Sequence, residues 1–144
     1  MYLAKQSALL LILFVIVSFK VNANGIAEYG DATHQYEVHY SVFNSSFLQP
    51  NIAVANIAVR RKLKDSDSGK KTVATISRVQ GHIHNLLGQK RELSFSEVRE
   101  QEAIYYLAQF RFGDKETLTF NLELMPDMRL GPVNLKFTKE MYID

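Results

Sequence analysis

Residues 117–125 read TLTFNLELM, and their apolar and polar side chains alternate without a break. Leu118, Phe120, Leu122 and Leu124 occupy every second position, with polar residues between them. Strict alternation is typical of a strand with one buried face, because successive side chains in a strand point to opposite sides. We therefore predict a strand here with all four apolar side chains in the core.

The same period of two recurs along the chain and is interrupted by turn residues, which favours a sheet protein over a helical one. We predict strands at residues 36–42, 57–63, 71–79, 93–95, 103–112, 117–125 and 133–137. Only residues 49–55 and 96–101 favour a short helix. About seven short strands at this spacing predict an all-β fold, specifically an antiparallel β-sandwich of immunoglobulin-like type.

The strand at 103–112 carries two competing patterns. Of the two sets of every second residue along this strand, one is more apolar, and we predict that it faces the core. Its members are Ile104, Tyr106, Ala108, Phe110 and Phe112. That assignment turns Tyr105 and Leu107 outward. The alternative is the tyrosine corner of immunoglobulin-like folds, in which Tyr105 follows a small Ala103 and faces inward. We favour the longer pattern.

The N-terminal residues 1–23 have the organisation of a signal peptide. Lys5 precedes an apolar run at residues 8–17, and Val21 and Ala23 occupy the positions that signal peptidase inspects. The run is shorter than the roughly 20 residues that span a bilayer. We expect cleavage after Ala23, one domain at residues 24–144 and a periplasmic location. An uncleaved membrane anchor is the alternative.

The charge of the chain narrows the possible partners, and its lack of cysteine bears on the compartment. The chain has 17 Lys and Arg against 15 Asp and Glu, and cleavage removes Lys5 and Lys20, which leaves 15 against 15. A neutral exported domain is not expected to bind nucleic acid. We expect no stable membrane insertion after cleavage. The absence of cysteine in a domain large enough to fold without disulfides favours a bacterial periplasm.

One stretch resembles a known family. Residues 39–50, HYSVFNSSFLQP, are similar to the opening signature of a small family of uncharacterised secreted Gram-negative proteins, described as a domain of unknown function. Further similar positions are Gly81, Asn85, Leu86, Gly88, Gln89, Glu100 and the segment 103–106. The resemblance covers nearly the whole chain. It implies a periplasmic β-sandwich and brings no activity, cofactor or catalytic residue.

Histidines provide the candidate metal ligands. In a strand, His82 and His84 would project from one face, close enough to share a metal ion. His39, or His34, could complete such a site. Two ligands hold a metal poorly, so a metal- or small-ligand-binding protein centred on His82, His84 and His39 is the alternative to our main interpretation.

Catalytic chemistry has no support in the sequence. There is no cysteine and no Gly-x-Ser-x-Gly motif, and no serine or histidine lies in a recognisable catalytic pattern. Glu97, Glu100 and Glu102 could supply paired carboxylates, but Arg99 lies among them and a charged loop explains them. We expect a non-enzymatic protein without a cofactor.

Aromatic residues suggest a contact surface, because they exceed what one face of each strand needs. Phe43, Asn44, Phe47 and Leu48 lie in one loop, and Tyr105 and Leu107 are predicted to face outward. An apolar groove with polar rims is the usual form of a protein or ligand contact surface. These six residues are our contact-surface candidates, and another envelope protein is the partner we favour. The oligomeric state stays open.

The predicted hairpin at residues 60–71 is basic at both ends. Arg60, Arg61, Lys62 and Lys64 face Lys70 and Lys71 across it. One interpretation is a site for an anionic lipid or glycan. The other, which we favour, is a solvated hairpin whose lysines keep a sheet edge from pairing with other chains.

Overall fold

A computed structural model of the protein describes residues 24–30, 34–45, 49–63, 72–129 and 131–143. The predicted signal peptide lies outside these ranges, as do Phe47, Leu48 and the tip of the basic hairpin at residues 64–71. Within the described ranges the chain forms strands and no helix, and so it offers no helix long and apolar enough to cross a membrane.

Ten strands are found among the described residues. In chain order they are β1 Gly25–Gly30, β2 Gln35–Asn44, β3 Ile52–Lys62, β4 Thr72–Ala74, β5 Arg78–His84, β6 Lys90–Leu93, β7 Ser96–Glu100, β8 Ala103–Arg111, β9 Glu116–Met125 and β10 Val133–Met141. The prediction of about seven was low because β1 and β7 are short edge strands. In addition, the predicted strand at 71–79 is divided into β4 and β5, which lie in different sheets.

The strands form two antiparallel sheets, which confirms the predicted all-β sandwich. The first sheet has six strands. Five follow the order β1-β2-β3-β8-β7, and the sixth, β4, pairs with the C-terminal end of β3 at residues 60–62. The second sheet has the order β10-β9-β5-β6.

The core lies between the two sheets and follows the alternation of the sequence. Leu118, Phe120, Leu122 and Leu124 on β9 are all buried, as predicted. Phe120 meets Phe110 of β8 in the opposite sheet edge to face, with ring centroids 5.4 Å apart, and stacks on Phe137 of the neighbouring strand β10 at 4.7 Å. Such pairs stabilise a core beyond the area they bury.

Both helix predictions are wrong. Residues 49–55 form a turn and the start of β3, where Ala53, Val54 and Ala55 are buried on both faces of a central strand. A strand covered on both faces has a continuous apolar run, which hides its period of two. Residues 96–101 include β7, a charged edge strand that is fixed by pairing with β8.

The chain crosses from one sheet to the other between β4 and β5, and Tyr106 fixes this crossing. The Ser77 backbone N–H donates to the Tyr106 hydroxyl at 2.8 Å, and that hydroxyl donates to Glu97 Oε1 at 3.2 Å. Burial, above all, raises the pKa of the Tyr106 phenol. Tyr106, on the inner face, therefore holds this link. The tyrosine-corner alternative had assigned the inward position to Tyr105.

Gly81 allows β5 to lie close to β9 in the middle of the second sheet. Gly81 lies on β5, between Leu122 of β9 and Leu93 of β6. A Cβ atom at this position would lie 2.3 Å from the Asn121 carbonyl oxygen and 2.6 Å from Leu122 Cδ2. No side chain fits there without a shift of the backbone, so the close approach of β5 to β9 requires glycine.

Candidate functional site

The outer face of the six-stranded sheet carries three of the six contact-surface candidates. Phe43 projects from β2 and is 46% exposed, while Tyr105 and Leu107 project from β8 and are partly exposed. They lie on this side because their neighbours Val42, Tyr106 and Ala108 are buried on the inner side. We call the surface formed by Ile26, Phe43, Tyr105 and Leu107 the contact face.

Strand register brings these residues into adjacent rows. Phe43 pairs with Val54 of β3, and Val54 pairs with Gln109 of β8. In the next row Asn56 of β3 lies between Ser41 and Leu107. The central strand β3 therefore joins the β2 candidate to those on β8, which are far away in sequence.

Asn56 leaves an unused acceptor in the middle of this face. Its Oδ1 atom is shielded from solvent and finds no hydrogen-bond donor among the described residues. A buried polar atom without a partner costs about 1–3 kcal/mol, so such atoms are rare in folded proteins. Beside it is a shallow depression of about 420 Å³, whose lining includes Ile26, His39, Ala58 and Tyr105. The depression can take a small apolar group.

One end of the same outer face is charged. The Lys62 Nζ atom lies 2.7 Å from Glu28 Oε1 and 3.8 Å from Glu37 Oε1. His39 Nε2 lies 3.1 Å from Glu37 Oε2. The hydrogen bond to Glu28 is the main cause that raises the pKa of Lys62. The outer face thus has an apolar part and a charged rim.

Asn44 has a different environment from Phe43. Its Nδ2 atom donates to the Tyr142 carbonyl at 2.8 Å, which ties the end of β2 to the segment after β10. This hydrogen bond gives the Asn44 amide a partner within the chain. Phe47 and Leu48 lie outside the described residues.

The histidines are divided between the two outer faces. His82 and His84 project from the same face of β5, as predicted, with ring centroids 6.2 Å apart, and Asn121 Nδ2 lies 3.2 Å from His84 Nδ1. His39 lies on the outer face of the other sheet, with the core in between, and His34 lies beside Arg129. The described residues do not bring three His, Cys, Asp or Glu side chains together to hold a metal ion.

Two cations in the described part of the basic hairpin, Arg60 and Lys62, have hydrogen-bond or ion-pair partners. Arg60 donates to the Thr72 hydroxyl at 2.7 Å and to the Thr72 carbonyl at 3.1 Å, and Lys62 is bound by acidic residues of β1 and β2. Lys64, Lys70 and Lys71 lie outside the described residues.

Several exposed apolar side chains were not predicted from the sequence, and Ile26, Leu86 and Leu87 are among them. Ile26 is 56% exposed on β1, a strand that was not predicted because its alternation spans only a few residues. Leu86 and Leu87 are 83% and 85% exposed at the β5–β6 turn. Asn85 holds this turn, since its Oδ1 atom accepts from the backbone N–H groups of Leu87 and Gln89.

Fold and contact face together define a sandwich of two antiparallel sheets with one partly apolar outer surface. Within that class the chain belongs to the DUF4426 family, a domain of unknown function, whose match covers residues 31–144. The chain is also similar to a DUF4426 family protein from Pseudomonas aeruginosa, known from a crystal structure. The two are 32% identical with a TM-score of 0.65, over 83% of this chain and 98% of that one. No curated protein sequence matches the chain.

Proposed function

We propose that the protein is an exported, non-enzymatic periplasmic module that binds another envelope protein through the contact face. The observation that carries this proposal is the group of exposed and partly exposed apolar side chains on one outer face, namely Ile26, Phe43, Tyr105 and Leu107. Partly exposed aromatic residues such as Phe43 and Tyr105 are enriched where protein interfaces form.

Export is the first part of this proposal, and it rests on residues 1–23. We expect the exported protein to begin at Asn24 and to occur in the periplasmic fraction. Intact-mass measurement on periplasmic extract decides the point. A mass that retains residues 1–23, found in the membrane fraction, would show that the segment is an anchor and not a cleaved signal.

Binding through the contact face is tested by site-specific photocrosslinking in cells. A photoreactive phenylalanine analogue at Leu107 is expected to give one adduct of defined mass, whose partner is identified by mass spectrometry. The same analogue at Thr138, an exposed position on the outer face of the other sheet, is the matched control and should not give that adduct.

The identified partner is then measured against purified variants. Because aromatic residues at the centre of an interface contribute most to affinity, Phe43→Ala and Tyr105→Ala should each weaken binding at least tenfold, or about 1.4 kcal/mol. Thermal unfolding of each variant confirms that the fold is kept. Affinity unchanged in both variants, or equal crosslinking from Thr138, would rule out the contact face.

A further inference from the structure

The edges of the two sheets differ in how they are protected. A strand at a sheet edge exposes unpaired backbone N–H and C=O groups, and lysine, arginine or proline on the edge normally prevents pairing with another chain. Three edge strands carry such residues: Lys90 and Arg91 on β6, Arg99 on β7, and Lys136 and Lys139 on β10. β4 is only three residues long.

β1 is the exception among the described edges. Its sequence is GIAEYG, with no lysine, arginine or proline. Its outer side chains are Ile26, which is 56% exposed, and Glu28, which is held by Lys62. The edge strand thus has no lysine, arginine or proline of its own and is apolar at Ile26, and both properties favour pairing with another strand.

The direction of the free backbone groups on β1 follows from its pairing with β2. The Val42 N–H donates to Asn24 Oδ1 at 3.3 Å, so Val42 directs its backbone groups toward the β1 side. Since these directions alternate along a strand, Tyr40 does the same, and its partner Gly25 bonds back to β2. Ile26 and Glu28 therefore direct their N–H and C=O groups away from the sheet.

We propose that β1 pairs antiparallel with β1 of a second copy of this chain, with Ile26 on the two-fold axis. In this register Ile26 lies opposite Ile26 of the second copy, and Asn24 lies opposite Glu28. Asn24 Oδ1 accepts from Val42, which leaves its amide N–H₂ to donate to that carboxylate. Up to about six backbone hydrogen bonds form, because opposed residues with outward groups exchange two each.

Other symmetric registers fit less well. An axis at Ala27 puts Ile26 against Glu28 of the second copy, and an axis at Glu28 puts two carboxylates directly opposite each other, which is unfavourable. A two-fold axis between two neighbouring residues would place a side chain of the inner face opposite one of the outer face. Paired residues in a sheet direct their side chains to the same face, so this register is excluded. The side chains of β1 thus select one self-complementary pairing, an isologous contact of the kind that closes a dimer.

This inference goes beyond the proposed function and does not depend on it. The first sheet of each copy would join that of the other into one continuous sheet, and the contact faces of both copies would lie on the same side. A strand edge alone is a small interface, so the dimer should dissociate on dilution.

Sedimentation of the exported protein over a concentration series, up to about 1 mM, tests the dimer. We expect a monomer–dimer equilibrium for the wild type and a monomer for Ile26→Lys and Ile26→Pro. Proline there removes only an outward N–H, so the pairing of β1 with β2 is kept. Ile76→Lys is the matched control, since Ile76 is 58% exposed but lies off the edge, and it should dimerise like the wild type.

Because the chain has no cysteine, one engineered thiol reports the register directly. Ile26→Cys is expected to be joined between two copies by a short bifunctional thiol reagent, since opposed Cα atoms at this hydrogen-bonded site lie about 5.5 Å apart. Ile76→Cys should stay monomeric. The proposal is overturned by a wild type that stays monomeric throughout, by a dimer that survives Ile26→Lys, or by equal crosslinking of the two cysteine variants.

Discussion

Replacement of Phe120 by alanine is expected to lower the free energy of unfolding by about 3–5 kcal/mol. Phe120 has no exposed surface, stacks on Phe137 and meets Phe110 from the opposite sheet. The substitution removes a large buried side chain and leaves a cavity where the two sheets meet. The loss is a large share of the stability of such a domain and should be read from urea unfolding.

Tyr105→Ala is the comparison for this experiment. Tyr105 lies on the outer face and is partly exposed, so its truncation should cost about 1 kcal/mol or less. If Tyr105→Ala unfolds the protein as readily as Phe120→Ala, the residue is part of the core. The contact face would then lose one of its two aromatic side chains.

Gly81→Ala should also be strongly destabilising, by about 1–3 kcal/mol or more, although it adds only one methyl group. The new Cβ atom would meet the Asn121 carbonyl oxygen and the Leu122 Cα atom, and these are backbone atoms of the neighbouring strand that cannot rotate away. The strand β5 would have to move away from β9 and weaken the ladder between them. Urea unfolding and amide exchange on β5 and β9 measure the effect.

Gly113→Ala is the matched control, since the nearest atom to its added Cβ is 4.0 Å away and its backbone conformation suits any residue. It should change stability little, or raise it slightly by restricting the unfolded chain. Equal stability of the Gly81 and Gly113 variants would show that β5 has room to move and that Gly81 is not required.

The inner faces of the sandwich were predictable because half-buried strands carry a simple alternation. β9 and β8 follow it, and the prediction that Tyr105 and Leu107 face away from the core agrees with their partial exposure. Alternation fails where both faces of a strand are covered, as at Ala53, Val54 and Ala55. It also fails on β7, whose charged sequence forms a strand only through its neighbour β8.

Which strand belongs to which sheet was harder to predict from the sequence. This limited the prediction of which distant residues come together in a site. Residues 71–79 were expected to continue one hairpin, but the chain leaves the first sheet after Ala74 and enters the second at Arg78. The link between them is fixed at the buried Ser77 by the hydroxyl of Tyr106, which no local pattern reveals. For the same reason the sequence could place His82 and His84 side by side, but not His39 relative to them.

The position of β3 in the first sheet has a consequence for when the protein can fold. β3 is flanked by β2, which precedes it directly, and by β8, whose pairing joins Ile52 to Arg111. The inner face of β1–β3 packs against a sheet whose interior strand β9 and edge strand β10 come last in the chain, and β10 ends at Met141, which is fully buried. Contacts this distant in sequence fold slowly, on a scale of about milliseconds to seconds. A chain that emerges with its N-terminus first would therefore lack the strands that complete its core until nearly all of it is present, so we expect its folding to begin only near the end of that process.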